Sequence, residues 1–394
     1  MKKCSATLLV ASCLMILAAS CQTAVGQLVS IGNNRISSTK AVEACGIALV
    51  ERLNSNSGEV LMGFYDTNRV IKKIREKFNA LLVAESIRDK MSEDELKTFF
   101  AMFEKELPSI HAQMEEQFDQ MFSGMAFHFS GVKRMDGEQW AVVRCEQNDG
   151  SVLYWMFRCE RTVSGKVEAV EFFNPVLGTS LEDASVDLAV QSAGSVFLAE
   201  FGSKERSTKM RMRTLMAEAL INGRFGQVIR IYERYFAEDP IVPSIAMTYC
   251  QALVSSLSSN VEVDGEADAE VMAKIRDITQ RIQKECPNFV GVNLFLIDYY
   301  FLKEDFEQTR QVIQKSREVL GEDAHLDFLD AITYITEGNL ERGADLLKKA
   351  REKNLSSILF YSVYLAQLQE NPDLFDEEYD DVYEDAVAEH GGVF

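Results

Sequence analysis

The sequence predicts an α+β N-terminal half, with helices followed by a four-stranded antiparallel meander, and an all-α C-terminal half of repeated helix pairs. Three observations predict this. Apolar residues recur at helical spacing before Ala126 and at a period of two after it. Asp136-Gly137, Asp149-Gly150 and Ser164-Gly165 punctuate the period-two region as hairpin turns. The segment Gly223–Pro240 then sets a frame that recurs at Glu270–Pro287, Glu304–Gly321 and Gly338–Leu355, with starts 47, 34 and 34 residues apart.

Residues 1–26 read as an export signal. Lys2 and Lys3 form a basic start, and Ser5–Ala19 is an apolar run of 15 residues, short for a membrane span. Ala24-Val25-Gly26 offers small residues for cleavage before Gln27. Ala18-Ala19-Ser20-Cys21 resembles the bacterial lipobox, which would make a lipidated Cys21 the new N-terminus, although Ala18 stands where that motif has Leu. Both routes predict an exported protein of the periplasm or cell envelope, secreted or lipid-anchored.

Residues 28–200 form the expected α+β domain. Lys40–Asn54 and Thr67–Lys90 have helical patterns, Ser92-Glu-Asp-Glu95 is a capping box that opens a third helix, and Pro108 opens a fourth. Strands are expected at Ala126–Arg134, Gln139–Gln147, Ser151–Arg161 and Lys166–Asn174. A two-residue turn at Asp149-Gly150 sets Cys145 opposite Tyr154. One face then carries Phe129, Trp140, Val142, Trp155, Phe157, Val170 and Phe172. The other carries His128, Cys145 and Tyr154 in one cross-strand row, with Arg158 opposite Glu171. That row reads either as a solvated polar face or as a pocket, even a nucleophilic one. In this register Cys145 and Cys159 lie too far apart for a disulfide, and buried free thiols are expected. Helices followed by a curved meander resemble the cone-shaped nuclear-transport-factor-like (cystatin-like) superfamily in element order.

After a linker at 201–208, residues 209–371 carry the frames. A turn glycine, an aromatic two residues on, and a helix closed by Pro after seventeen resemble the tetratricopeptide repeat (TPR), whose period is about 34 residues. Ala331, Tyr334, Gly338, Leu340, Gly343, Leu347 and Ala350 fill its packing positions in the fourth unit, while Asp327 and Asp330 depart from it. Two amphipathic helices per unit cannot bury their stripes alone, so the units stack. The resemblance implies a concave groove lined by Met210, Arg213, Ala217, Met247, Gln251, Leu294, Asp298, Phe301, His325, Phe328 and Ile332. It implies a protein or peptide partner, an apolar segment with one or two polar anchors. Ser356–Glu370 should add one more helix. Residues 372–394 hold nine acids and no Lys or Arg, and read as an acidic capping helix or a solvated tail.

Composition narrows the function classes. A net charge of −20 on 394 residues argues against nucleic acid as a partner. No Walker loop, GxGxxG, GxSxG, HExxH or CxxC occurs, and four scattered histidines make a metal site improbable. The acidic stretch Asn260–Glu270 resembles an EF-hand calcium loop but lacks the closing bidentate Glu, since position 12 is Val271. The basic cluster Lys204, Arg206, Lys209, Arg211 and Arg213 reads as a solvated helix edge. No cofactor is expected. The expected role is a non-catalytic interaction or scaffold protein of the bacterial envelope. The alternative is small-ligand binding or an enzymatic activity in the N-terminal domain.

Overall fold

A computed structural model describes residues 38–84, 124–147, 152–175, 204–259, 265–286 and 291–391, apart from 136 and 376–378, with 179–180, 289 and scattered positions of 92–101 and 182–194. The expected export signal, Cys21, Pro108 and residues 260–264 lie outside the described residues. No described helix is long and apolar enough to cross a membrane. The chain divides into two compact units, one drawn from 58–121 and 177–289, the other from 30–57, 122–176 and 290–394. These units do not follow the boundaries expected from sequence. The sheet belongs with the C-terminal helices, whose Asp323, Asn354 and Ser356 bond Arg144 and Glu146 on its second face.

In the first unit, α2 (Ser57–Met62) precedes α3 (Thr67–Ala84). The latter buries Val70, Ile74, Phe78 and Leu82. Its opposite flank carries Arg69, Lys73 and Lys77 at four-residue spacing, and these bind Glu182, Asp183 and Asp187 at 2.5, 2.9 and 2.6 Å. Further along lie α4 (Lys204–Ile221), α5 (Phe225–Tyr235), α6 (Pro243–Ser259) and α7 (Gly265–Glu285). Gly223, at φ +65°, makes the α4–α5 turn. Tyr232 of α5 stacks on Tyr249 of α6 at 4.2 Å. Glu270, expected at a turn by the second frame, lies inside α7, where it pairs with Lys274. The second half of the calcium-like stretch is therefore the first turns of a helix, not a ligand loop.

In the second unit, α1 (Thr39–Ser55) leads into β1 (Ala126–Met135), β2 (Glu138–Glu146), β3 (Val152–Arg161) and β4 (Val167–Asn174). The strands pair in order and antiparallel, the expected meander. One face carries Phe127, Phe129, Trp155, Phe157 and Phe172, with ring centroids 5.1–5.4 Å apart from Phe127 through Trp155 and Phe172 to Phe157. Helix α1 lies on it, and Asn54 brackets Phe127 with two backbone hydrogen bonds of 2.9 and 3.0 Å. Gly46 permits the contact: a Cβ there would meet the Phe129 ring at 2.4 Å.

The register corrects one strand. Arg144, not Cys145, faces Tyr154, and Cys145 faces Leu153. Five residues, 147–151, separate the last pair Glu146↔Val152, where a two-residue turn would have given an even loop. A one-residue slip exchanges the faces of a strand. Trp140 and Val142 therefore point away from Phe129 and Trp155, and Cys145 joins the α1 side. Arg158 does face Glu171, at 2.8 Å.

Helices α8 (Gly291–Leu302), α9 (Phe306–Leu320), α10 (Ala324–Thr336), α11 (Leu340–Glu352), α12 (Ile358–Glu370) and α13 (Tyr379–His390) complete the unit. Glu304 (φ +56°) and Gly338 (φ +84°) turn α8 into α9 and α10 into α11, at the expected frame positions. Asp305, Asp323, Asn339 and Ser357 cap the helices that follow them, each side chain accepting a backbone N–H. Gly343 lets α11 close on α10, since a Cβ there would lie 2.4 Å from Ile335. Asp327 and Asp330 break the apolar pattern because Arg317 binds both, at 2.8 and 3.2 Å, and Lys353 binds Asp327 at 2.6 Å. The acidic tail forms a true capping helix, with Phe375, Val382 and Ala386 buried in the same core as Phe360 and Tyr364.

Candidate functional site

Two places concentrate polar side chains: a buried cluster beneath the sheet in the second unit and a cavity in the first. The cluster is built on Asp323, the cap of α10. Its Oδ1 accepts from the Tyr154 hydroxyl at 2.6 Å and the His325 amide at 2.9 Å. Its Oδ2 accepts from Ser130 at 2.7 Å and Arg144 at 2.9 Å. A bulge between Phe129 and Gly131 places Ser130 there. Arg144 spends its remaining donors on Glu146 (2.7 Å) and the Asn354 carbonyl (2.9 Å), and Glu146 accepts from the Ser356 amide and hydroxyl at 3.2 and 3.1 Å.

Electrostatics follow from this geometry. Burial would raise the Asp323 pKa, but the Arg144 charge and the Tyr154 and Ser130 hydroxyls outweigh it and hold the carboxyl below its ordinary value. Burial pushes the Tyr154 phenol well up, reinforced by the Asp323 charge. Burial pulls His325 down to about 4 against the attraction of Asp323, and its Nδ1 is buried without a hydrogen-bond partner. His128 is lowered as well, by burial and then by Arg144, with Glu146 opposing from 3.6 Å.

Both Asp323 oxygens are filled by the protein's own donors, so this carboxylate offers no base to a substrate. The expected row of His128, Cys145 and Tyr154 is in fact His128, Arg144 and Tyr154, since Arg144 pairs with both others. It is covered by the C-terminal helices, and Cys145, fully buried on the other face, has its thiol pKa pushed up by burial. The nucleophilic-pocket alternative is overturned by this register and this cover. The cluster is a clamp, and it works because every buried charge is paired and hydrogen-bonded.

The cavity has a volume of about 600 Å³. Leu81, Ala80 and Ala84 of α3, Met210, Met216 and Ala217 of α4, and Ile241, Val242, Pro243 and Ile245 form its apolar wall. Lys77, Asp187, Arg206 and Arg213 bring charge to it. Lys77 is neutralised by Asp187 at 2.6 Å. Arg213 lies over the Phe236 ring at 5.8 Å, its Nε is buried without a partner, and burial lowers its pKa against the pull of Asp239.

The residues expected in a groove are dispersed. Met210, Arg213 and Ala217 line this cavity. Met247 is buried and Gln251 half-buried on α6 of the same unit. The other six belong to the second unit. Leu294 and Ile332 are half-buried and Asp298 is exposed. Phe301 packs on Phe306 at 5.7 Å, and His325 abuts the Asp323 clamp. Phe328 is wholly buried against Phe360 at 5.7 Å, a core residue and not a groove residue.

Arg144, Glu146 and Asp323 were absent from the sequence reading. A signal existed: Arg144 interrupts the apolar run Trp140–Cys145, where a solvated charge has no place. Among the described residues no cluster of His, Cys, Asp and Glu could hold a metal ion. Compared with protein-family models, curated proteins and solved structures, the chain matches none.

Proposed function

We propose that this is a non-catalytic binding protein, exported to the cell envelope, that holds an apolar partner segment bearing a carboxylate in the cavity of the first unit. One observation carries the reading: half-buried Arg213 presents a guanidinium whose Nε is buried without a partner at a cavity whose walls are otherwise mostly apolar. A desolvated cation beside apolar wall rewards an anionic group on an apolar body. Met210 supplies an adaptable wall suited to a side chain of variable shape. The reading keeps helix pairs of the TPR type as the supporting scaffold, and their surfaces as the recognition element.

The test is site-specific photocrosslinking in the native host. A photoreactive residue at Met210 should capture one defined protein, while the same residue at Arg211, exposed on the same helix, should not. Arg213→Glu should weaken capture by an order of magnitude or more with the melting temperature preserved. Equal capture from Arg211, or unchanged capture by a folded Arg213→Glu variant, rejects the cavity as the recognition site.

The cavity volume favours a second reading, since about 600 Å³ lies in the range of small-molecule sites. A small organic acid that raises the melting temperature in an Arg213-dependent way, with no protein captured at Met210, would select it.

A further inference from the structure

We propose that Asp187 is a specificity residue of the first-unit cavity: by cancelling Lys77 in the cavity wall, it sets how strongly the site prefers an anionic over a neutral apolar ligand. The inference rests on the reading of that cavity as the recognition site. Its ground is where the fold places one ion pair. Arg69, Lys73 and Lys77 recur every four residues on one flank of α3. Glu182 and Asp183 take the first two, and these two rungs do not line the cavity. The third rung does. Lys77 donates to Asp187 Oδ1 at 2.6 Å, and both residues belong to the cavity lining. Their side chains are 41% and 22% exposed, so the pair is reachable from the open space.

The charge arithmetic of the wall follows. Lys77, Asp187, Arg206 and Arg213 are its charged residues. With Lys77 and Asp187 paired, the cationic excess is left to the two arginines of α4. Arg206 is exposed, and a solvated charge rewards an anion little. Arg213, with its Nε buried and unpartnered, rewards it most. An anion that reaches Arg213 therefore also meets the Asp187 carboxylate on the same wall, and like-charge repulsion in a partly desolvated space offsets part of the gain. Without Asp187, Lys77 would stand free as a further cation. With it, the preference for negative charge is held down, and the apolar wall of Leu81, Met210 and Met216 supplies a larger share of the affinity. Burial raises the Asp187 carboxyl, Lys77 opposes that rise, and the Arg213 charge opposes it as well, as expected of groups that share one space.

The test is calorimetric titration of the full-length protein at pH 8 with octanoate and with octanamide, which has the same chain and no charge. Four variants are compared with wild type: Arg213→Gln, Asp187→Asn, Lys77→Gln, and Lys77→Gln with Asp187→Asn. Wild type should prefer octanoate, and Arg213→Gln should lose that preference. Asp187→Asn should bind octanoate about tenfold tighter and Lys77→Gln about tenfold weaker, while the double variant returns to within about threefold of wild type. Octanamide affinity should stay constant throughout, which a merely structural role of the pair would not allow. The Asp187 assignment is overturned if Asp187→Asn leaves octanoate binding unchanged or weaker, or moves both ligands alike, while Arg213→Gln still removes the preference; the cavity reading then stands. If wild type shows no preference for octanoate, or one that ignores Arg213, the cavity reading falls and this inference with it. If one single variant fails to fold, the opposite sign expected of the other decides.

Discussion

Removing Asp323 should unlock the sheet from the C-terminal helices. Its carboxylate is 0% exposed and takes the Arg144 guanidinium, which is 2% exposed. Asp323→Ala leaves that cation buried with only Glu146 as counter-charge. Deleting one partner of a buried pair costs about 3–5 kcal/mol, and loss of the α10 cap adds about 1 kcal/mol. Asp323→Asn keeps the cap and the shape, so its cost should fall between that of Ala and zero. The assay is urea unfolding followed by tryptophan fluorescence. The two tryptophans, Trp140 and Trp155, both sit buried in the sheet, so the signal reports this unit. The Arg144→Met, Asp323→Ala double variant should lose less than the sum of the singles, by about 1–3 kcal/mol. A loss below about 1 kcal/mol for Asp323→Ala, the range of an exposed ion pair, refutes the clamp. Because the folded pKa of Asp323 lies below its unfolded value, its contribution is complete above about pH 4 and disappears as pH falls through the folded value. The alanine variant should lack that acid limb.

Three further outcomes are expected. The neutral His325 of the folded state, with a pKa of about 4, should cost stability as pH falls from about 6.5 towards 4, and His325→Gln should flatten the urea midpoint across that window. Gly343→Ala should destabilise by roughly 1–2 kcal/mol, overpacking outweighing better helix propensity, and Ile335→Val in the same chain should recover part of the loss; a neutral Gly343→Ala would refute the close approach. N-terminal mass spectrometry of the native protein should find Gln27 or a lipidated Cys21 as first residue, and an intact Met1 would sink the export reading.

Much of this architecture was legible because local rules and global packing agree. Gly223 and Gly338 signalled turns that require positive φ. The face of β2 was not legible. Nothing in Asn148-Asp149-Gly150 distinguishes an even loop from an odd one, and that single residue decides whether Cys145 or Arg144 meets Tyr154. The clamp was hidden for a related reason. Arg144 and Asp323 each look like ordinary surface charges until residues 179 apart are brought together. The approach of α1 to the sheet was likewise hidden, since Gly46 permits it but does not announce it. Among the groove residues, the frame placed Met210, Arg213 and Ala217 on one helix face, whereas Phe328 shows that the same periodicity also marks core.

The interleaving of the two units has a consequence for how the chain is made. Beyond residue 30 the path crosses between them four times, at 57/58, 121/122, 176/177 and 289/290. The unit whose described residues begin at 38 is completed only by residues beyond 290. At about 5–20 residues per second, Arg144 waits roughly 10–35 s after its own synthesis for Asp323 to be added. During that interval the nascent sheet holds an apolar face and the Arg144 guanidinium, with Glu146 as its one counter-charge, without the C-terminal helices that cover them. The unit that holds the sheet is finished last, so a ribosome-stalled chain ending near residue 290 contains the whole of one unit and an uncovered fragment of the other. A holding factor acting on that fragment would have its greatest effect in this window.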